Sequence, residues 1–237
     1  MKTSYELFDL GGNPTAVITQ NVNKQGAIEL ALEIMKRYSF IEQVAIIERV
    51  DGDTCRFRMA GGEFCGNACR AVAEFMRKNR GFDRCQIIIN GLLINGQSNG
   101  QTSQISIIQD KLCDEIVRNG RTFYSMRGIT HTIVEGLGDE LKAQAIKQEA
   151  AQQGISDEAF GVMFLEGNKM NPFVWVEKAK TFFNETACMS GSIATALFIG
   201  KPRVNLVQPT GQEYTISVDK GMIIASGSVE FLGGGEL

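Results

Sequence analysis

Short apolar stretches punctuate the whole chain, and their spacing switches between the two-residue period of strands and the three-to-four-residue period of helices. Strands are predicted at Val44 to Arg49, Thr54 to Met59, 85–89, 103–108, Ala159 to Leu165 and Pro172 to Val176, and again at 203–207, 213–218, 222–226 and 228–231. Glu6 to Gln20 reads as two strands about a Gly-Gly-Asn-Pro turn at residues 11–14. Apolar positions 28, 31, 34 and 35 predict a helix over Ala27 to Tyr38, and Ala68, Val72, Phe75 and Met76 share one face of a helix from Ala68 to Lys78. A mostly polar helix is expected from about Asp139 to Gln153, an extended stretch at Thr130 to Val134, and hairpins in the Gly- and Asn-rich segment 90–102. Gly233-Gly234-Gly235 reads as a frayed tail, because no strand-Gly-helix context makes it a nucleotide loop. The mixture predicts an α+β (α/β) fold.

No apolar run approaches the roughly 18 residues that span a bilayer, and Met1 to Leu10 hold no apolar signal-like core, so the expected compartment is the cytoplasm. With 24 Lys+Arg against 27 Asp+Glu and no basic block, a net charge of -3 offers no footprint for nucleic acid, and neither nucleic acid nor membrane is expected as a partner. A chain of 237 residues, 43% of them hydrophobic, is long enough for two cores. Its six cysteines (55, 65, 69, 85, 113 and 188) are too sparse for a disulfide scaffold and read as reduced thiols, mostly buried as small apolar side chains.

Two cysteines stand apart. Glu63-Phe64-Cys65-Gly66-Asn67-Ala68 and Glu185-Thr186-Ala187-Cys188-Met189-Ser190-Gly191 each set a Glu and then a Cys ahead of a helical stretch, and the two lie about half a chain length apart. This predicts two related halves. Unsatisfied N–H groups and the helix dipole at such a position favour thiolate over thiol, so either cysteine could serve as base or nucleophile. Two helix ends facing one cleft would also offer several N–H donors to one carboxylate. Cys65, Cys69 and His131 invite a zinc reading, but four ligands are not assembled and no metal is expected; Cys69 reads as core. His131, the single histidine, is either a satisfied core or surface residue or a proton partner. Glu185 is either a carboxylate placed for the helix dipole or a group that touches substrate or thiol.

The two cysteine segments resemble the motifs of the diaminopimelate epimerase superfamily of amino-acid racemases and epimerases. Gly12-Asn13, Gln43 after Glu42, and Ser125-Met126 followed by Gly128-Ile129-Thr130-His131 are similar to further family segments in the same order. Within the superfamily, the histidine racemases of opine-metallophore biosynthesis are most similar: they share the Gly-x-Glu-Phe-Cys-Gly-Asn-Ala run and a Gln-Pro pair, here Gln208-Pro209. The resemblance implies two pseudo-symmetric lobes, each a mixed, mostly antiparallel sheet or barrel around a central helix. One would hold 1–115 plus a returning strand at about 225–237, the other 116–224.

The resemblance also implies a cofactor-independent racemase, without pyridoxal phosphate, acting on a small-molecule amino acid. Cys65 and Cys188 would be the acid/base pair on opposite faces of the α-carbon. The α-carboxylate would rest on N–H groups of Gly66-Asn67 and Ser190-Gly191, with Asn13, Gln43 and Glu185 contributing to binding and His131 poised near Cys65. Homodimers are common in the family. Two departures bear on the substrate: Lys178 to Phe183 replaces the family's Glu-Arg-Gly-x-Gly run, and Ile129 replaces an Asn that reads the distal end. A second substrate carboxylate would then be desolvated without a cation, which disfavours diaminopimelate and favours histidine or another amino acid lacking one. Diaminopimelate epimerisation and a catalytically silent amino-acid-binding protein stay as alternatives. Met189 stands where the family has Gly after its second cysteine.

Overall fold

The computed structural model describes residues 3–19, 23–178 and 180–237; Met1, Lys2, Ala179 and Gln20, the expected end of the second strand, lie outside the described residues. The first lobe runs β1 (Ser4–Asp9), β2 (Pro14–Ile18), α1 (Lys24–Arg37), β3 (Gln43–Asp51), β4 (Thr54–Met59), α2 (Gly66–Arg80), β5 (Arg84–Ile89), β6 (Leu92–Ser98), β7 (Thr102–Ile108) and the short α3 (Gln109–Leu112). The second runs β8 (Asp114–Arg118), β9 (Arg121–Met126), β10 (Ile129–Glu135), α4 (Glu140–Gln152), β11 (Ala159–Glu166), β12 (Lys169–Val176), β13 (Thr181–Asn184), α5 (Met189–Ile199), β14 (Arg203–Val207), β15 (Glu213–Asp219) and β16 (Met222–Ser228), and β17 (Glu230–Glu236) ends the chain.

Each lobe wraps a mixed sheet round one buried helix. In the first, β2–β3 and β4–β5 pair in parallel while β1–β2, β3–β4 and the β5–β6–β7 meander are antiparallel. In the second, β10–β11 and β12–β14 are the parallel pairs. Helix α2 packs on β2 to β7 and is buried from Gly66 to Met76, while α5 packs on β10, β11 and β14 to β16. The outer helices explain the remaining apolar stripes: Ala27, Ala31 and Ile34 of α1 cover Leu7, Ile18 and Val44, and Ala143, Ile146 and Ala150 of α4 cover Phe123, Phe160 and Val162. The lobes are stitched by β16, which pairs with both β15 and β7, and by β17, which pairs with β1.

The inner helices repeat one design. Each has a cysteine as N-cap in extended conformation, Cys65 at φ -136° and Cys188 at φ -128°, and each ends at a left-handed glycine, Gly81 at φ 73° and Gly200 at φ 69°. The helices therefore start at Gly66 and Met189, the first ahead of the Ala68 that apolar spacing suggests, because a thiol can accept from the third N–H of the helix as a capping hydroxyl does. Helix α1 likewise starts three residues early, capped by Asn23, whose side chain accepts from Gly26 N at 2.8 Å.

Three further differences have physical causes. The 90–102 segment does form hairpins, but seven of its residues are β6, whose alternate side chains Leu92, Ile94 and Ser98 point inward. The β8–β9 hairpin, closed by Asn119-Gly120 in left-handed conformation, is a strand pair that apolar spacing misses, because β8 is exposed or half-exposed throughout. Gly233-Gly234-Gly235 is no frayed tail: it lies opposite Leu7, Glu6 and Tyr5 of β1. A Cβ on Gly234 would stand 2.7 Å from Tyr5 O, and one on Gly235 2.8 Å from the Tyr5 hydroxyl, so glycine is what lets the two strands close.

Arg70, fully buried on α2, fastens this junction. It donates to the carbonyls of Leu10, Ser103 and Ser228 and to Asn67 Oδ1, and its guanidinium lies 4.9 Å from the ring centre of Tyr214. No helix among the described residues is long and apolar enough to cross a membrane.

Candidate active site

The N-termini of α2 and α5 abut. A Cβ on Gly66 would stand 2.7 Å from Met189 Cγ and 3.5 Å from Ser190 N, so Gly66 allows the approach and the buried Met189 side chain sets its spacing. Met189 is helical, so nothing in its backbone calls for the glycine usual at that place. Asn67 Nδ2 donates to Ala187 O across the junction at 3.1 Å, and Asn67 Oδ1 accepts from Arg70 and Tyr214, so both ends of its side chain are engaged in the junction.

Cys65 Sγ accepts from Ala68 N at 3.3 Å and donates to Gln43 Oε1 at 2.8 Å; Gln43 Nε2 in turn donates to Glu185 Oε1 at 3.3 Å. Cys188 Sγ accepts from Gly191 N at 3.4 Å, so that N–H of the expected carboxylate cradle is already directed at sulfur. The Glu185 carboxyl stands close enough to both thiols for its charge to oppose either thiolate. A chain Cys65–Gln43–Glu185–Cys188 thus runs from one lobe to the other.

His131 is tied to the second cysteine instead of the first. Its Nε2 shares a 2.9 Å hydrogen bond with Ser190 Oγ, which lies 3.6 Å from Cys188 Sγ. The physical reason lies in topology: His131 is on β10, against which α5 packs. Asn13 donates to Glu42 Oε2 at 2.7 Å and accepts from Thr15 Oγ1. Glu42, which spacing alone did not single out, accepts from Thr186 N and Oγ1 across the lobe junction. Gln208, in the Gln-Pro pair, accepts from Cys188 N at 3.0 Å and donates to Ser192 Oγ. For Glu42 the only sequence signal is its place before Gln43, whereas Gln208 belongs to the Gln-Pro pair of the resemblance. Cys69 lies in the core with Cys55 and Cys85, whose proximity adds to the burial that pushes its thiol up.

Burial overrides the helix dipole here. Both Cys65 and Cys188 are pushed well above the ordinary thiol value by desolvation, with the Glu185 carboxylate adding to it, although Ala68 N and Gly191 N pull the other way. Desolvation thus outweighs the N–H groups and helix dipole that favour thiolate, and it holds both cysteines toward the thiol form. Burial likewise pushes Glu63 up to about 7 and Glu185 up to about 8, the latter helped by Glu42. It pushes His131 down to about 3. Glu63 Oε2, Glu185 Oε2 and His131 Nδ1 are buried without hydrogen-bond partners, as expected of groups that await a polar ligand.

A stability profile follows. A carboxyl raised on folding stabilises the fold below its ordinary value near 4.5, and that contribution is lost as pH rises through 7 to 8. A histidine depressed on folding stabilises above its ordinary value of 6.5, and that contribution is lost as pH falls toward 3. Two carboxyls against one imidazole place the stability maximum at about pH 5, with Glu63 alone costing about 3 kcal/mol by pH 8. Thermal melts between pH 4 and 9 check this, and a melting temperature that climbs from pH 5 to 8 would contradict it.

Next to Gln43, a pocket encloses about 410 Å³ of empty space, part of it open to solvent. Its walls come from both lobes: Ile28, Ala31, Leu32 and Met35 of α1 with Gln43 and Met59 on one side, Val176 and Thr181 on the other. Among the described residues, none of the carboxyls of Glu42, Glu63 and Glu185 forms an ion pair with Lys or Arg.

Residues 11–222 match the family described as histidine racemase CntK, N-terminal domain. Histidine racemases from two strains of Fusobacterium nucleatum subsp. nucleatum are 27% and 26% identical, each over 95% of this chain and over 92% and 93% of their own lengths. Among solved structures, a predicted epimerase from Pseudomonas aeruginosa superposes with a TM-score of 0.73 at 12% identity, covering 99% of both chains. A hydroxyproline epimerase from Agrobacterium vitis, with trans-4-hydroxy-L-proline bound, has a TM-score of 0.65 at 12% identity over 100% of this chain and 92% of its own. A phenazine biosynthesis PhzF family protein from Enterococcus faecalis has a TM-score of 0.62 at 15% identity, over 100% and 99%. At such identities the structural likeness speaks for the fold.

Proposed function

Since the chain belongs to the CntK-type histidine racemase family and is an amino-acid racemase, we propose that it racemises histidine without a cofactor, using Cys65 and Cys188 as a two-base thiol pair. The observation that carries this reading is the pair of capping thiols at two abutting helix ends, joined through Gln43 and Glu185. Inversion at an α-carbon needs a base on one face and an acid on the other, and two thiols from two lobes supply both with one type of group.

Both thiols rest protonated, so one must first lose its proton. Burial holds Glu185 up to about 8, so the competent form is the one in which it is ionised: Cys188 passes its proton to that carboxylate, and arrival of the substrate's α-ammonium beside it favours the ionised form and makes the step less costly. The thiolate removes the α-hydrogen, and the opposite thiol returns its own to the other face. Charge growing on the α-carboxylate meets the free N–H groups at the two helix starts. Ser190 and His131 hold Cys188 from behind; burial keeps the imidazole neutral, suited to accepting or donating a hydrogen bond without adding charge.

Substrate choice follows from charge. Buried carboxyls without cationic partners favour a ligand bringing positive charge and N–H donors, and repel a second carboxylate. The test is incubation of the purified chain with a panel of L-amino acids, with chiral chromatography and with hydroxylamine present as a carbonyl trap. D-Histidine formed at an undiminished rate supports the proposal. Racemisation confined to diaminopimelate, or abolished by hydroxylamine, overturns it.

A further inference from the structure

Glu63 bonds to neither catalytic thiol, and its setting is unusual. The residue is only 8% exposed, and its Oε2 is buried without a hydrogen-bond partner. Oε2 lies over Gly61, where a methyl group would collide with it and with Val176. Glu63, Gly61 and Val176 all line the pocket beside Gln43, whose side chain accepts the Cys65 thiol. That pocket is otherwise apolar on its α1 side, so a flat ring entering it would find hydrophobic walls and one unpaired acceptor.

We propose that Glu63 is the specificity-determining residue of this enzyme, its free carboxyl oxygen taking the ring N–H of the substrate's imidazole in the pocket between α1 and Val176. This rests on the histidine-racemase reading and names the part of the site that selects the side chain. The arrangement suits an imidazole better than other rings. A carboxyl held at about 7 by burial lies close to the ordinary imidazole value, so acid and ring share one proton in a charge-assisted bond. Glu158 raises the Glu63 carboxyl further and Lys178 lowers it, but these two bond to each other at the rim and leave the inner oxygen free. The enclosed cavity here is only about 30 Å³, room for a water or two and not for a ring. Because the walls belong to both lobes, a small parting of the lobes widens it.

The test is α-hydrogen exchange of L-histidine by wild type and Glu63→Gln, with calorimetric binding of free imidazole to both proteins as a readout independent of turnover. The loss in Glu63→Gln is expected to fall on KM, which rises at least tenfold, with a smaller change in kcat; imidazole binding weakens in parallel. A KM within twofold of wild type, or imidazole binding indifferent to the substitution, overturns the assignment. If wild type exchanges some other amino acid and not histidine, the assignment falls while the two-thiol reading stands. If no amino acid is exchanged yet imidazole binding depends on Glu63, the pocket assignment stands and the turnover reading fails.

Discussion

Cys65→Ala and Cys188→Ala are each expected to lower racemisation by about a thousandfold, the scale of a lost general acid or base. The two variants should fail in opposite ways. With one thiol gone, one face of the α-carbon has neither base nor acid, but the surviving thiol still reaches the other face. It can remove a proton there and return a solvent-derived one to the same side. Each single variant therefore exchanges the α-hydrogen of one enantiomer only, and the two variants choose opposite enantiomers. The double variant exchanges neither. Chiral chromatography gives the inversion rate and proton NMR in deuterated water gives the exchange. Loss of exchange for both enantiomers in both single variants would contradict the assignment of one face to each sulfur.

Glu185→Gln is the second large effect, and it moves activity and stability in opposite directions. Glu185 is the buried group beside both thiols, bonded to Gln43 and facing Glu42. An amide cannot receive the Cys188 proton, so turnover should fall by about a hundredfold or more. The same substitution removes a carboxyl that burial holds up to about 8, and whose ionisation opposes folding as pH rises. The variant should gain on the order of 2–4 kcal/mol of stability at pH 8 and nothing at pH 4. Denaturant unfolding at the two pH values, set beside turnover at pH 8, checks both parts. A variant that is slow but equally stable at pH 8 would mean that the Glu185 carboxyl is not the high-lying acid described here.

How much was legible beforehand differs between fold and site. Cysteine-Gly-Asn and Glu-Thr-Ala-Cys fall where period-3.6 spacing begins, so the two inner helices and their capping thiols could be read as a repeated device. Strands with one buried face, such as β4 and β5, show their alternation plainly. Strand β8 does not, because it buries neither face. The C-terminal strand is hidden because the reason for Gly234 and Gly235 is the close approach of Tyr5, a contact more than two hundred residues away in sequence. The same limit governs the site. Which carboxyl stays unpaired, which cysteine His131 reaches, and whether dipole or desolvation sets a thiol's state all depend on partners brought together only by the fold. Glu63 sat in the motif as a flanking residue, and only the orphaned oxygen over Gly61 marks it out.

Two different groups serve the two faces of one α-carbon, and the earliest label distribution in deuterated water tells them from a single shuttling base. L-Histidine is added to wild-type enzyme, and both enantiomers are recovered within the first few per cent of turnover. The two-thiol account predicts deuterium at the α-position of essentially all the D-histidine formed, while the remaining L-histidine keeps its protium. Protium carried over into the D-product would show a single group moving the same hydrogen from face to face, and the account would be wrong.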